Sequence, residues 1–367
     1  MNENVAGGST AGASNDGGLS MPRLVPTAAR GWGQGSEYLP ALRLHMARLS
    51  FWLVMTASFG LMAWLSDGGR IDAKTAYIMV AVNMLIVAVL EQVIPRVPGN
   101  NMFRDRQSLR DLGHLFFFKF VCRPFAWTIT LAIVGFIASY KLGAERVWPT
   151  NWPVLIQFVL LLLLFDLIGY WYHRLLHSVD RLFAFHAIHH DTRQVHMLKA
   201  VRVHFAEQFV NFILVVTPFL LVGCPPSLLA WLGMWNVFES NLAHSNVDQR
   251  FPSWLHYVVR TIDVHYIHHA NDHKMQNSNF GGLPIWDLVF GTYRHPLDNP
   301  VTATGIQGDP VPAGFLAQLA FPFRAQLRAA VPAPMAGSSE RVLARGNAQE
   351  GPGPTDREAG ALPPEGA

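Results

Sequence analysis

Four stretches of this chain stay apolar for about the 20 residues that a bilayer crossing needs: Ala47–Leu65, Ala76–Ile94, Leu112–Tyr140 and Pro153–Tyr172. Inside lipid every backbone polar group must find its partner within the protein, so such stretches are read as α-helices. The charge content agrees. Only 14% of the 367 residues are charged, against roughly 25% in soluble domains. A net charge of +3 without a basic, aromatic-rich stripe argues against nucleic-acid binding. Cys122 and Cys224 lie in apolar runs and form no CxxC, which excludes a disulfide scaffold and a zinc–cysteine site.

The expected fold is all-α and integral to a membrane. About four transmembrane helices are joined by a short re-entrant helical pair, and a cytoplasmic helical cap carries the histidines. The re-entrant pair is read from two shorter runs, Phe209–Val222 and Leu228–Phe238, separated by Gly223-Cys224-Pro225-Pro226. Full spans are the alternative, should the runs extend into Glu207 and Asn241. In the third stretch Lys119, Arg123 and Pro124 interrupt the apolar run, so its first part is expected along the interface, with the crossing from Phe125 onward. Residues 1–45 and 325–367 are rich in Gly, Ser, Ala and Pro and are expected to be disordered. Between them, 46–150 reads as the N-terminal transmembrane helices and 151–300 as the catalytic domain.

Lys and Arg crowd one side of the spans: Arg43 and Arg48, then Arg96, Arg104, Arg106 and Arg110, then Arg174, Arg181, Arg193, Lys199 and Arg202. That side is expected to be the cytoplasm, with both termini on it. The chain is therefore placed as a multi-pass protein of the cell membrane.

All the histidine clusters fall on that same side. The chain has sixteen histidines, most of them between His173 and His273. His173 and His177 close the fourth span at i, i+4 spacing. His186, His189 and His190 form H-x-x-H-H, and His265, His268 and His269 repeat it. Helical spacing puts each set on one face, where protonated imidazoles would repel. A metal removes that conflict because it takes the neutral ring. With His244 the set numbers nine, more than one zinc uses, so two metals with vacant positions are implied. Imidazole alone does not select among Zn, Cu, Fe and Ni. Asp166, Glu207, Glu239, Asp248 and Asp263 are candidates to orient imidazole N–H groups. His204 and His273, close to the clusters, are candidates for an extra ligand or a supporting contact. His45, His114, His196, His256 and His295 stand alone and are given no role. No residue separate from the metal ligands is assigned as catalytic.

In the order H-R-L-L-H, H-A-I-H-H, R-V-H, H-S-N, H-Y-I-H-H, N-F-G and W-D-L-V-F-G-T-Y, residues Asp166 to Tyr293 resemble the fatty acid hydroxylase / sterol desaturase superfamily of membrane, multi-histidine di-iron oxygenases. The resemblance implies two Fe ions, with Zn able to replace them in recombinant material, and O2 as co-substrate. It implies hydroxylation of a lipid, such as a fatty-acyl chain or a sterol-like molecule, with desaturation as the alternative. Two positions depart from it. Asp248 stands where some relatives carry another histidine, and Asp191 replaces a small hydroxyl residue. The chain has no G-x-G-x-x-G after a strand, no cysteine set for an iron–sulfur cluster and no H-P-G-G haem motif. A separate electron donor is therefore implied, a ferredoxin, a cytochrome b5-like protein or a reductase, with Arg104, Arg106 and Arg110 as a candidate contact. Three other readings compete, one of them a catalytically dead relative, which would have lost histidines that all three clusters here retain. A metal transporter would place its ligands at mid-depth on broken helices. A zinc-dependent membrane hydrolase would carry a Glu base, as in H-E-x-x-H, which this chain lacks.

Overall fold

The computed structural model describes residues 41–65, 72–140, 147–308 and 310–324. The stretches 1–40 and 325–367, expected to be disordered, lie outside the described residues. α1 (Ala41–Leu65) begins ahead of the expected Ala47 and pairs with α2 (Ala73–Val93), whose N-terminus is capped by Asp72 accepting from the Thr75 amide. α3 (Ser108–Phe116) runs through a π-helical turn, Phe117–Cys122, into α4 (Arg123–Ser139). The wide turn has a cause: Pro124 offers no N–H, and its ring would press on the carbonyl of Phe120 in a regular helix. α5 (Val154–Ser178) follows.

Among the described residues four helical stretches are long and apolar enough to cross a membrane: Ala41–Leu65, Lys74–Val93, Ser108–Ser139 and Val154–Ser178. Their outward faces carry large exposed apolar side chains, among them Trp64, Leu131, Phe136 and Leu155. A surface of this kind suits lipid, not water. Among the described residues there is no strand, only isolated bridges at Pro95–Val247 and Ala270–Thr304.

α6 (Asp180–His190) leaves α5 after a break at Val179. α7 (Phe205–Leu221) and α8 (Pro226–Ala243) take the two shorter apolar runs and extend them past Glu207 and Asn241. α7 has 17 residues, about 25 Å at 1.5 Å per residue, against roughly 30 Å of hydrocarbon core. Gly223 turns the chain between them with φ 78°, which a side chain would resist. Four short helices complete the order: α9 (Ile262–His268), α10 (His273–Gln276), α11 (Pro284–Val289) and α12 (Phe315–Ala320).

The core fixes α8 and α9 to the α1–α2 pair. Phe51, Met62, Met79 and Val87 pack with Phe238, Leu242, Ile262 and Ile267. Polar groups between helices are paired, as expected where no water can reach them. Asn241 donates to Asn83 at 2.9 Å, and the hydroxyls of Thr130 and Thr217 meet at 3.2 Å. Glu91, near the end of α2, accepts from the amides of Met197 (2.8 Å) and Asn246 (2.9 Å). The N-terminal helices therefore hold the backbone on which the histidine segments rest.

Candidate metal centre

The nine histidines converge as two groups. His173 and His177 of α5, His186 and His190 of α6, and His268 of α9 form a five-histidine cluster; His189, His244, His265 and His269 form a four-histidine cluster. In each group one ring nitrogen from every member lies within 4.8 Å of the others. Each H-x-x-H-H triplet divides between them. On α6 the i, i+4 pair His186/His190 serves the first cluster and His189 the second; on α9 His265/His269 serve the second and His268 the first. A turn of helix thus feeds two adjacent centres, and His190 stacks on His269 across the boundary at 4.7 Å.

Hydrogen bonds behind the rings decide which nitrogen faces inward. Nδ1 of His173 donates to the Phe280 carbonyl at 2.7 Å, and Nδ1 of His268 to the Ser278 carbonyl at 2.8 Å. Nδ1 of His186 donates to the Glu207 carboxylate at 2.8 Å, and Nδ1 of His244 to the Ser240 carbonyl at 2.9 Å. A carbonyl can only accept, so these rings carry their proton on Nδ1 and present a lone pair from Nε2. In their neutral forms Nε2 of His173 and Nε2 of His186 then face one another at 2.9 Å with no proton between them. Two lone pairs at that distance repel unless a cation sits among them.

Among the neighbouring rings protonation offers no easy escape. Burial first, then repulsion among the rings, holds His189, His190, His265, His268 and His269 well below the ordinary imidazole range. His244 is pushed down to about 3, chiefly by burial and then by the Arg260 guanidinium. Neutral, buried, inward-facing imidazoles are a donor set that fits transition-metal ions.

Of the five carboxylates expected behind the rings, Glu207 alone bonds an imidazole. Glu239 takes Arg260 with both oxygens (2.8 and 2.5 Å), and Asp263 takes Arg96 at 2.6 Å. Asp248 lies 3.6 Å from Arg250 and outside both clusters. Asp166 acts one step removed. It accepts from the amides of Gly282 (2.7 Å) and Leu283 (2.8 Å), while Asp287 accepts from Phe280 (2.9 Å) and Gly281 (2.8 Å). The two carboxylates grip the loop whose Phe280 carbonyl holds His173. A Cβ on Gly282 would sit 2.7 Å from the Asp166 carboxylate, so the close grip requires glycine there.

His204 and His273 stay out of both clusters. His204 caps α7, accepting from the Ala206 amide on Nδ1 (3.1 Å) and donating from Nε2 to the Leu319 carbonyl (3.1 Å), so both its nitrogens are taken. His273 begins α10 and faces Asn277. Asp191 pairs with Arg202 at 2.9 Å, and Arg202 also holds the Ile188 carbonyl, which ties R-V-H to α6. A further acidic group, Asp105 with Asp111 and His196, is already filled from within. The Lys199 ammonium lies 2.6 Å from Asp105 and 2.7 Å from Asp111. Burial raises the Asp105 carboxyl, but the His196 hydrogen bond and Lys199 outweigh it and hold it well below the carboxylate range. Spacing gives no sign of Lys199, Ser240 or Ser278, since two are backbone acceptors and the third lies far from its partners in sequence.

Comparison with known proteins agrees with this geometry. The fatty acid hydroxylase family model matches residues 158–292, which hold all nine histidines. Ornithine lipid hydroxylase OlsE of Rhizobium tropici is 31% identical over 242 residues, 65% of this chain and 72% of that protein. Alkylglycerol monooxygenase of Xenopus tropicalis is 24% identical over 213 residues, 58% of this chain and 46% of that protein. A very-long-chain aldehyde decarbonylase of Oryza sativa subsp. japonica is 29% identical over 179 residues, 46% and 28% of the two chains. The chain thus spans less than half of the latter two relatives. No solved structure matches it significantly. Shared motif order, the two histidine clusters and the extent of the match to OlsE lead to one conclusion: the chain belongs to the fatty acid hydroxylase family.

Proposed function

We propose that this protein is a membrane-bound, di-iron, O2-dependent oxidoreductase that hydroxylates a fatty-acyl chain of a polar lipid. The observation that carries the reading is the pair of facing Nε2 atoms on His173 and His186, within a set of nine converging imidazoles of which eight are buried. Two bound irons would supply the activation of O2 needed to attack an unactivated C–H bond. The chain's own part is to hold and orient. His173, His177, His186, His190 and His268 would keep one metal, and His189, His244, His265 and His269 the other. Glu207, Ser240, Ser278 and Phe280 fix ring tautomers. The nearly complete burial of both clusters keeps bulk water from the reacting carbon.

A polar-lipid substrate is supported by the name of the R. tropici relative, and the four apolar helices support a membrane-resident one. The reading assigns 46–150 to the membrane scaffold and 151–300 to the catalytic domain. It also places the clusters on the cytoplasmic side, where a separate electron donor would dock near Arg104 and Arg106. Elemental analysis of protein purified from native membranes should return two irons per chain. Turnover with O2, a reducing system and a polar-lipid extract, followed by mass spectrometry, should show gain of one oxygen atom. Loss of two hydrogens instead would make the enzyme a desaturase. A single zinc with full activity would refute the di-iron assignment.

A further inference from the structure

The apolar exterior continues beyond the four long helices. Trp254, Tyr257 and Val258, with Ile285, Leu288 and Val289 of α11, are between 40% and 62% exposed. The titratable side chains between them, His256 and Asp287, are both buried. A patch of this size with no charge on it needs a cover.

Its position along α5 says what covers it. The Trp286 indole donates to the Leu163 carbonyl at 3.2 Å. Phe290 packs on Trp171 at 4.9 Å and on Tyr170 at 5.2 Å, and the Tyr170 hydroxyl meets that of Thr292 at 3.0 Å. The chain therefore descends α5 to the level of Leu163 and climbs back to Tyr170. Leu163 lies nine residues beyond Val154, where α5 begins. That is about 14 Å along the helix, close to the middle of a hydrocarbon core of about 30 Å. α5 is also the most apolar of the four candidate spans, with mean hydropathy 2.2, and its exposed Leu164, Trp171 and Leu175 belong to the same helix that α11 adjoins.

Irregular backbone persists at such depth only where protein satisfies it. Here it is satisfied. The four successive amides of Phe280, Gly281, Gly282 and Leu283 all donate to Asp287 or Asp166 at 2.7–2.9 Å. The two carboxylates that support His173 also spare this loop any need for water.

We propose that Leu283–Phe290 is a re-entrant insertion whose outer face contacts the acyl chains of the bilayer beside α5, with Trp254 and Tyr257 toward the headgroups. The occupant of the patch is lipid. Because the claim concerns depth and not turnover, it stands or falls separately from the hydroxylase reading.

The test uses the full chain in phosphatidylcholine vesicles, with Cys122→Ala and Cys224→Ala as background. Nitroxide labels on Val289→Cys, on Val159→Cys of α5 and on Leu297→Cys are compared by collision with O2 and with a water-soluble nickel chelate. Val289 should group with Val159, about tenfold less accessible to the chelate than Leu297, as hydrocarbon burial demands. Chelate accessibility equal to that of Leu297 would overturn the proposal. So would spin–spin broadening at Val289 that vanishes on dilution with unlabelled chain, because a second copy would then cover the face. Ile285→Cys repeats the measurement should Val289→Cys fail to reconstitute, with the same outcomes deciding.

Discussion

The five-histidine and four-histidine clusters share α6 and α9, the first adding α5 and the second the end of α8, yet they are supported differently. In the first, three rings are held from behind: His173 by the Phe280 carbonyl, His186 by Glu207 and His268 by the Ser278 carbonyl. In the second only His244 is so held, by Ser240, and three of four rings (His189, His265 and His269) have a buried Nδ1 without a partner, against two of five in the first, at His177 Nε2 and His190 Nδ1. Supporting contacts typically change metal affinity about 10–100-fold each. The first centre should therefore keep its metal more tightly, and the second should be the exchangeable one. One carboxylate also sits behind the first and none behind the second, so the two metals would differ in electron richness as well as in affinity.

The largest effect that sharpens this contrast comes from deleting a ligand on each side. His268→Ala and His269→Ala should both abolish oxidation, since each opens a coordination position and removes a buried donor. Their metal contents should differ. His268→Ala leaves four histidines in its cluster and should retain most of its metal, whereas His269→Ala leaves three beside two unsupported rings and should fall toward one metal per chain. In the parent protein a chelator should then remove metal in two phases, the four-histidine centre first. Equal losses in the two variants, with a single-phase release, would break the comparison.

A smaller change isolates the support itself. In Glu207→Gln the side-chain oxygen can still accept from His186, but the negative charge is gone. Metal affinity of the five-histidine centre should drop about 10–100-fold, so the two chelation phases should move together. Rescue by Glu207→Asp would be only partial, because the shorter side chain cannot span the 2.8 Å contact without moving the helix. If the phases keep their separation in Glu207→Gln, the difference lies in ligand number alone.

How much of this was legible beforehand follows from the type of contact. Apolar length pointed to the four long helices, helical spacing to eight of the nine histidines that converge, and position after the α7–α8 pair to the ninth, His244. What the spacing could not express is that i+3 crosses to the other centre, because that depends on the angle at which α6 meets α9. Supporting groups were legible only when they were side chains close in pattern to the rings, as Glu207 was. Phe280, Ser240 and Ser278 act through carbonyls, which every residue has. Asp248 and Asp263 looked equally suitable in sequence, yet Arg250 and Arg96 lie nearer to them than any imidazole does. Long-range pairing, here between residues more than a hundred positions apart in the case of Arg96 and Asp263, leaves no local trace.

Acid should destabilise the metal-free chain through rings of both clusters. The buried rings stay neutral in the folded chain, while in the unfolded chain the same rings titrate near 6.5. Below that pH the unfolded state takes up protons that the folded state refuses, so stability falls as pH drops. For His244 the window runs from 6.5 down to about 3. Metal-free His269→Gln, which removes one such ring, should show a shallower loss of denaturant stability below pH 6.5 than the metal-free parent. An unchanged slope would mean that His269 is charged in the folded, metal-free chain, contrary to its burial.

The smallest expected effect marks where the metal centres end. His295 follows the W-D-L-V-F-G-T-Y motif by two residues and, like the cluster rings, has a ring among other aromatic rings: Tyr257 stacks on it at 5.0 Å and His256 lies edge-on at 5.5 Å. Its Nδ1 accepts from the Leu297 amide at 3.2 Å, which closes a local turn and leaves no inward lone pair on that nitrogen. It faces neither cluster. His295→Ala should keep both metals, both chelation phases and near-parental turnover, with a stability loss of about 1 kcal/mol from the lost stacking and turn contact. Were it to lose metal as His269→Ala does, a third aromatic-lined position would have to be joined to the four-histidine centre, and the contrast in ligand number between the two centres would disappear.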